Sequence, residues 1–340
     1  MNKKLMITGG AGFIGHHVVY YLLKNTDYDI VCLDRLDFSG NLNRLHKILN
    51  NFDTNTKKRV KIVYHDLKSE FNEYVMDKLG DVDIILHMAA ASHVTRSIKY
   101  PVEFINDNVI GTTNVLEYAR KLKNLERMIY FSTDEVFGPA VDDKPFTEWD
   151  RFNGCNPYSA SKAAAESICI AYENTYKLPL YITHTMNVYG EDQSDEKYIP
   201  MITKKIFNDE TITIHHDSKT GQIGSRCYLH AQDVADALLF LINLKDIKHV
   251  DGHRGGRCHK FNISSNDELN NLEVAKIVAK AMNKELKYNL VDPNNDRPGH
   301  DFRYLISGDY MKSLGWVKKI DADTGITNVV LNMVKELENG

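Results

Sequence analysis

Residues Ile7 to Gly15 read Ile-Thr-Gly-Gly-Ala-Gly-Phe-Ile-Gly. A short apolar run, Leu5–Thr8, leads into them, and a segment of helical periodicity, Phe13–Lys24, leads out. Gly9, Gly12 and Gly15 therefore fall on the turn between a strand and a helix. Glycines there permit a tight turn and let backbone N–H groups and the positive end of the helix approach a pyrophosphate. The pattern alone is weak, because a glycine-rich turn need bind nothing. Asp34 strengthens it. It ends the next apolar run, Ile30–Asp34, about twenty residues on, where an acid accepts hydrogen bonds from an adenosine ribose. The stretch predicts a dinucleotide-binding βαβ unit, with Phe13 and Ile14 between the glycines beside the bound nucleotide. An acid at position 34 repels a 2′-phosphate and so favours NAD over NADP, while Arg35 next to it works the other way.

Outward from this unit the same alternation continues. Lys61–His65, Asp83–Met88, Met128–Thr133 and Leu180–Thr185 read as further strands, and Leu42–Asn51, Asn72–Leu79, Val102–Lys123 and Tyr158–Tyr176 as helices. Continuous apolar strands alternating with helices predict an α/β fold, a Rossmann-type doubly wound parallel sheet covered on both faces. Asp66, with Leu67 beside it, follows the third strand as an adenine contact or as a helix N-cap. After Gly190 the rhythm changes. Thr211–His215, Cys227–His230 and Lys260–Ile263 are short strand-like pieces among helices and polar loops. The expected division is a cofactor domain at 1–188, to which 231–262 returns, and a smaller α/β lobe made of 189–230 and 263–340.

The composition narrows the function classes. The chain has 340 residues, 43% hydrophobic and 26% charged, with formal net charge −4. It lacks the basic footprint of a nucleic-acid binder and any apolar run long enough for a membrane span. Met1-Asn-Lys-Lys passes directly into a strand-like stretch, too short for a signal peptide. The 5 cysteines are scattered and never spaced as a CxxC pair, which predicts reduced thiols in a cytoplasmic protein. His253, Cys258 and His259 match no zinc spacing, so no metal is expected.

Two stretches carry chemistry. In Tyr158-Ser-Ala-Ser-Lys162 the tyrosine and lysine lie four apart on one helix face. A free phenol, with a pKa near 10, is a poor base at neutral pH, and a neighbouring ammonium stabilises its phenolate. In Phe131-Ser-Thr-Asp-Glu-Val-Phe-Gly138 a buried strand ends in a hydroxyl and two adjacent carboxylates, Thr133, Asp134 and Glu135. Adjacent carboxyls in a dry site are pushed to different pKa values, which makes one an acid and the other a base.

Taken with the glycine loop, these stretches resemble the extended short-chain dehydrogenase/reductase family over essentially the whole chain. Within it, Thr-Asp-Glu resembles the nucleotide-diphosphoglucose 4,6-dehydratases. The resemblance implies tightly bound NAD, a nucleotide-diphosphosugar substrate and loss of water across sugar carbons 5 and 6 after oxidation at carbon 4. It implies that Thr133 hydrogen-bonds the hydroxyl being oxidised, that Tyr158 is the base for that step and Lys162 its helper, and that Glu135 is the carbon-5 base and Asp134 the acid at the carbon-6 hydroxyl. Met88–Val94 and Ile105–Thr112 look like family segments around the cofactor. They imply that Ala89, Ala90 and Ser92 lie near its nicotinamide half, with Ser92 also reaching substrate, and that Asn108 supports the backbone there. Asn187, Lys197, Arg226, Asn262 and Arg297 match substrate-side positions, the arginines at the diphosphate. The resemblance also implies a homodimer in which Val102–Lys123 and Tyr158–Tyr176 pair across a two-fold axis. Ala91, Thr95, Phe137, Cys227 and the acidic loop Gly190–Glu196 depart from the family pattern. They leave uracil versus thymine, and the sugar, open. A related epimerase or decarboxylase is the second reading, against which Asp134 speaks. A non-catalytic dinucleotide-binding regulator is the third, and the presence of Tyr158 and Lys162 speaks against that.

Overall fold

A computed structural model describes residues 2–37, 39–140, 143–218, 220–245, 258–265, 267–292 and 303–339. Among them the strands are β1 (Lys4–Thr8), β2 (Asp29–Asp34), β3 (Val60–Tyr64), β4 (Ile84–His87), β5 (Arg127–Thr133), β6 (Leu180–Thr185), β7 (Asn187–Tyr189), β8 (Ile212–His215), β9 (Ser225–His230), β10 (His259–Ile263), β11 (Glu268–Asn270) and β12 (Tyr288–Val291).

β1 shows why these runs become central strands. Leu5 and Ile7 pack into the core on one face of the sheet and Met6 into the core on the other, and none of the three is exposed. A strand buried on both faces needs helices on both sides. Helices Phe13–Asn25 and Ala231–Asn243 cover one face, and Gly111–Lys121 and Pro157–Tyr176 the other. The resulting sheet is parallel throughout, in the order β10-β6-β5-β4-β1-β2-β3. The chain winds outward from β1 to β3 and then returns to place β4 on the other side of β1. That reversal opens a crevice at the carboxyl ends of β1 and β4, the position where open α/β sheets bind ligands.

The remaining strands form a sheet of order β11-β9-β7 and the pair β12-β8. These pack with helices Tyr198–Phe207, Asn271–Ala281 and Ala322–Asn339 around a separate core. β10, although it falls between segments of this material in the chain, lies beside β6 in the large sheet.

Two differences from the sequence reading matter for the site. The expected continuous helix Val102–Lys123 is broken into Pro101–Ile105, a π-helical turn Asn106–Ile110, and Gly111–Lys121. Such single wide turns often mark functional positions, and this one buries Asp107 and Asn108. The short strands β7, β11 and β12, three or four residues each, carry too little periodicity to be predicted.

Candidate active site

A cavity of about 370 Å³ lies at the carboxyl ends of β1, β2, β4, β5 and β6, closed on one side by residues of the loop before helix Tyr198–Phe207. Its floor is the glycine loop. Gly9 has φ +74° and faces the backbone of Ala89, and a Cβ on Gly15 would collide with the Gly9 carbonyl oxygen. The loop thus holds the helix start tightly against β1. Gly12 caps helix Phe13–Asn25 with no side-chain hydrogen bond, which leaves the first-turn N–H groups for an anion. Phe13, Ile14 and Gly15 line the cavity.

Asp34 ends β2 at the far side. Its two oxygens accept from Ala11 N at 3.1 Å and Leu36 N at 2.9 Å, and their remaining lone pairs are available to a diol. Burial raises its carboxyl, against which these N–H groups act. Asp66 and Leu67 line the same end. Asp66 caps no helix: it accepts from Lys68 N at 3.0 Å in a turn, and Lys68 Nζ lies 3.3 Å away.

Above β4, the Thr8 hydroxyl accepts from Met88 N and Ala89 N, both at 3.0 Å. Ala89, Ala90 and Ser92 line the cavity. Asn108, expected to support this backbone and grouped with the cofactor contacts, touches the backbone and not the cavity. It is 1% exposed and sits one layer back, bracketing Ala91 N at 2.8 Å and Ala91 O at 3.0 Å while donating to Ser161 Oγ at 2.8 Å. The π-helical turn aims it there, so it ties the Ala89–Ser92 backbone to helix Pro157–Tyr176.

The reactive groups converge where β5 meets that helix. Thr133 ends β5 and starts a single 3₁₀ turn, Asp134–Phe137. Its hydroxyl donates to Asp134 Oδ1 at 3.1 Å and accepts from Glu135 N at 3.3 Å. Asp134 is 6% exposed. Burial pushes its carboxyl up to about 6, opposed chiefly by the charge of Arg226. Glu135 is half-buried, and its Oε2 accepts from Asn156 Nδ2 at 3.3 Å. Asn156 also starts helix Pro157–Tyr176 through a capping box with Ser159, with Pro157 in the first turn.

Tyr158 and Lys162 follow on the first turns of that helix, and both line the cavity. Burial, and then the Glu135 charge, push the phenol above its ordinary value, while a hydrogen bond with Thr133 pulls it back. Burial lowers the Lys162 ammonium to about 8. That ammonium donates to Phe131 O at 2.7 Å and lies 4.3 Å over the Tyr130 ring. The ammonium is thus anchored on the end of β5, one turn away from Tyr158 on the same helix.

On the substrate side Asn187 and Lys197 line the cavity. Arg226 does not reach its wall; the guanidinium lies 4.8 Å over the Tyr304 ring and donates to Ser225 O at 2.7 Å. Asn262 is a second correction. It is fully buried, its Oδ1 is 2.9 Å from His184 Nδ1, and its Nδ2 donates to Phe146 O at 3.1 Å. It belongs to a buried network below the site. There Glu166 Oε1 is 2.7 Å from Lys260 Nζ, and Oε2 is 3.1 Å from His184 Nε2 and accepts from Ser132 Oγ at 3.2 Å. Arg297 and the loop 246–257, with His253, lie outside the described residues. No group of three or more potential ligands among the described residues is placed to hold a metal ion.

Sequence reasoning missed Asp107, Gln193 and Ser194, all on the cavity wall. The signal for the last two was the unusually acidic loop; for Asp107 it was the cofactor segment Ile105–Thr112, in which only Asn108 was singled out.

The family model of GDP-mannose 4,6-dehydratase matches residues 6–329. A dTDP-D-glucose 4,6-dehydratase of Dictyostelium discoideum is 32% identical over 370 residues, covering 95% of this chain and 80% of the relative. The Escherichia coli dTDP-glucose 4,6-dehydratase is 33% identical over 354 residues, covering 96% and 92%. Among solved structures, the dTDP-glucose 4,6-dehydratase of Streptomyces venezuelae with NAD and TYD bound superposes with a TM-score of 0.83 at 30% identity, covering 98% of each chain.

Proposed function

The chain belongs to the GDP-mannose 4,6-dehydratase family, nucleotide-sugar dehydratases of the extended short-chain dehydrogenase/reductase class, and from that premise we propose how its residues divide the reaction. The reaction is NAD-dependent 4,6-dehydration of a sugar nucleotide. The substrate in this proposal is glucose carried on a uridine or thymidine diphosphate. Bound NAD supplies a hydride acceptor at sugar carbon 4 and a hydride donor at carbon 6. The residues present fit that group: an uncapped helix start over a glycine loop for the pyrophosphate, and Asp34 with open lone pairs for the ribose.

Tyr158 takes the proton of the carbon-4 hydroxyl, which Thr133 orients through its own hydroxyl. Lys162, held on Phe131 O, orients the cofactor ribose and, as a cation, favours the ionised phenol. Oxidation at carbon 4 acidifies the proton on carbon 5, and Glu135 removes it. Asp134 gives a proton to the carbon-6 hydroxyl, which leaves as water. Glu135 then returns a proton to carbon 5, so the sugar ends one water lighter with no net change in oxidation state.

The observation that carries this division is the unequal setting of two adjacent acids. Asp134 is buried and its carboxyl pushed up to about 6, which makes it the more easily protonated of the two, while Glu135 is half-exposed to the cavity with an amide donor on its carboxylate. Plain oxidation or epimerisation at carbon 4 has no use for that pair. The test is incubation with UDP-glucose, dTDP-glucose and UDP-N-acetylglucosamine separately, without added cofactor, followed by mass analysis. Loss of one water from one or both glucose nucleotides is expected; recovery of an unchanged or epimerised sugar refutes the reading.

Two expectations follow from the same reading. Because the cycle regenerates its own oxidant, purified protein carries bound NAD and turns over without external nicotinamide. Denaturing it and quantifying released nucleotide checks this, and activity that scales with added NADPH contradicts it. The protein is also a homodimer. Supporting this, Ile98, Tyr100, Val102, Ile105 and Ile110 are exposed apolar side chains along 98–110, Val102 at 70%, and a self-complementary contact suits a two-fold axis. Sedimentation at micromolar concentration should give twice the chain mass; a monomer there refutes it.

A further inference from the structure

The adenosine end of the cavity carries an unusual balance of charge. Asp34, Asp37, Asp66 and Asp107 line it, against Arg35 and Lys68. Arg35 directly follows Asp34, the position from which an arginine accepts a 2′-phosphate in dinucleotide folds. By position alone, then, the site carries contradictory signals.

The geometry resolves them. Arg35 Nη1 and Nη2 donate to Asp107 Oδ1 and Oδ2 at 2.7 and 2.9 Å, a bidentate pair. Its other edge faces Asp37, with Nε at 2.8 Å and Nη2 at 2.7 Å from Oδ2. Both edges of the planar fork are thereby taken. Asp107 is 8% exposed, so this pair is screened less than a surface one. Lys68, the other cation, is itself shared between Asp66 at 3.3 Å and Asp107 at 3.5 Å. Asp107 reaches this place from the π-helical turn Asn106–Ile110.

We propose that Asp107 is a specificity-determining residue for the cofactor: by holding the guanidinium of Arg35, it withholds that cation from a 2′-phosphate and makes the site select NAD over NADP. This rests on the reading that the cavity holds a nicotinamide dinucleotide. Asp34 supplies the acceptor for ribose hydroxyls and repels a phosphate. Asp107 removes the residue that would otherwise offset that repulsion. Freed from Asp107, the guanidinium regains two N–H groups in the geometry that fits phosphate oxygens.

The test is a competition on the full chain. Protein is equilibrated with equimolar NAD and NADP, desalted and denatured, and the released nucleotides are quantified by mass. The wild type should release NAD almost alone. Asp107→Asn should raise the NADP-to-NAD ratio by about tenfold, the worth of one charge-assisted hydrogen bond gained by the phosphate. Adding Arg35→Ala to that variant should return the ratio to the wild-type level, because Arg35 is the group released. Asp37→Asn frees the other edge and should shift the ratio in the same direction, which keeps the test available if Asp107→Asn does not fold. An unchanged ratio in the folded single variants overturns the inference. So does a gain that survives Arg35→Ala, since it would mean that mere loss of negative charge is responsible. A wild type that neither carries nor takes up either nucleotide overturns the cofactor reading, and this inference with it.

Discussion

Glu135→Gln lowers loss of water by about 10²–10⁴-fold, the usual contribution of a general acid–base group, while oxidation at sugar carbon 4 persists. The glutamine keeps the shape of the side chain and its contact with Asn156, and leaves Thr133, Tyr158 and Lys162 in place. Only the base at carbon 5 is gone. Substrate added to this variant should therefore produce a reduced-nicotinamide absorbance that builds up and stays. Tyr158→Phe lacks the base for the first step and should show neither that absorbance nor water loss. Asp134→Asn separates the two carboxylates further. It should slow water loss but leave solvent deuterium entering at carbon 5, because Glu135 remains. Asp134 sits at about 6 and acts in its protonated form, so in the wild type kcat/KM for water loss should fall as pH rises through that value. Carbon-5 exchange should not fall with it, and Asn at 134 should remove the pH step. Wild-type dehydration by Glu135→Gln, or complete absence of reduced nicotinamide in it, refutes these roles.

Lys260→Met destabilises the folded protein by about 3–5 kcal/mol, the cost of leaving a buried carboxylate without its cation. Glu166 is 0% and Lys260 4% exposed, so water cannot replace the lost partner. The ammonium also lies 4.5 Å over the Trp149 ring and 4.7 Å over Phe152, contacts that methionine keeps as packing alone. Adding Glu166→Gln to Lys260→Met should restore most of the loss, since the unpaired charge and not the missing cation is the fault. Urea unfolding of the three proteins measures this; equal stability of wild type and single variant contradicts it. Acid gives a second readout. Burial raises the Glu166 carboxyl, but His184 and Lys260 outweigh it and hold the group down to about 2, below its unfolded value of about 4.5. Its stabilising contribution is therefore present above the unfolded value and lost as pH falls towards 2. Lys260→Met loses the lysine's share of that depression and keeps the part due to His184, so its stability should fall less steeply over the same window.

The contrast between these two clusters shows what the sequence could reveal. Thr133, Asp134, Glu135, Tyr158 and Lys162 each follow a strand end or start a helix. The rule that parallel sheets bind at their carboxyl ends places them together without further geometry. Gly9, Gly12, Gly15 and Asp34 were legible for the same reason. Glu166, His184 and Lys260 were not. Glu166 reads as one more helical residue a turn beyond Lys162, and His184 and Lys260 as polar interruptions in apolar strands. They meet only because β10 lies beside β6 and β6 beside β5, an order that no local pattern encodes. Asn262 was misread on this account: the motif around it resembled a substrate contact, but β10, the edge strand of the large sheet, pairs with β6 and leaves Asn262 fully buried beside His184. Asp107 stood in a segment from which only Asn108 was singled out.

The position of β10 also bears on how the chain acquires its structure. During synthesis the ribosome releases β6 some 75 residues before His259–Ile263, and in that interval the large sheet ends in an unpaired β6 edge. A nascent chain in this state presents a template for mispairing with other chains, with Glu166 still lacking Lys260. The large sheet thus gains its last strand only after β7, β8 and β9 of the smaller lobe have been translated. A fragment cut at residue 188 would lack β10 and leave β6 as an unpaired edge of the large sheet.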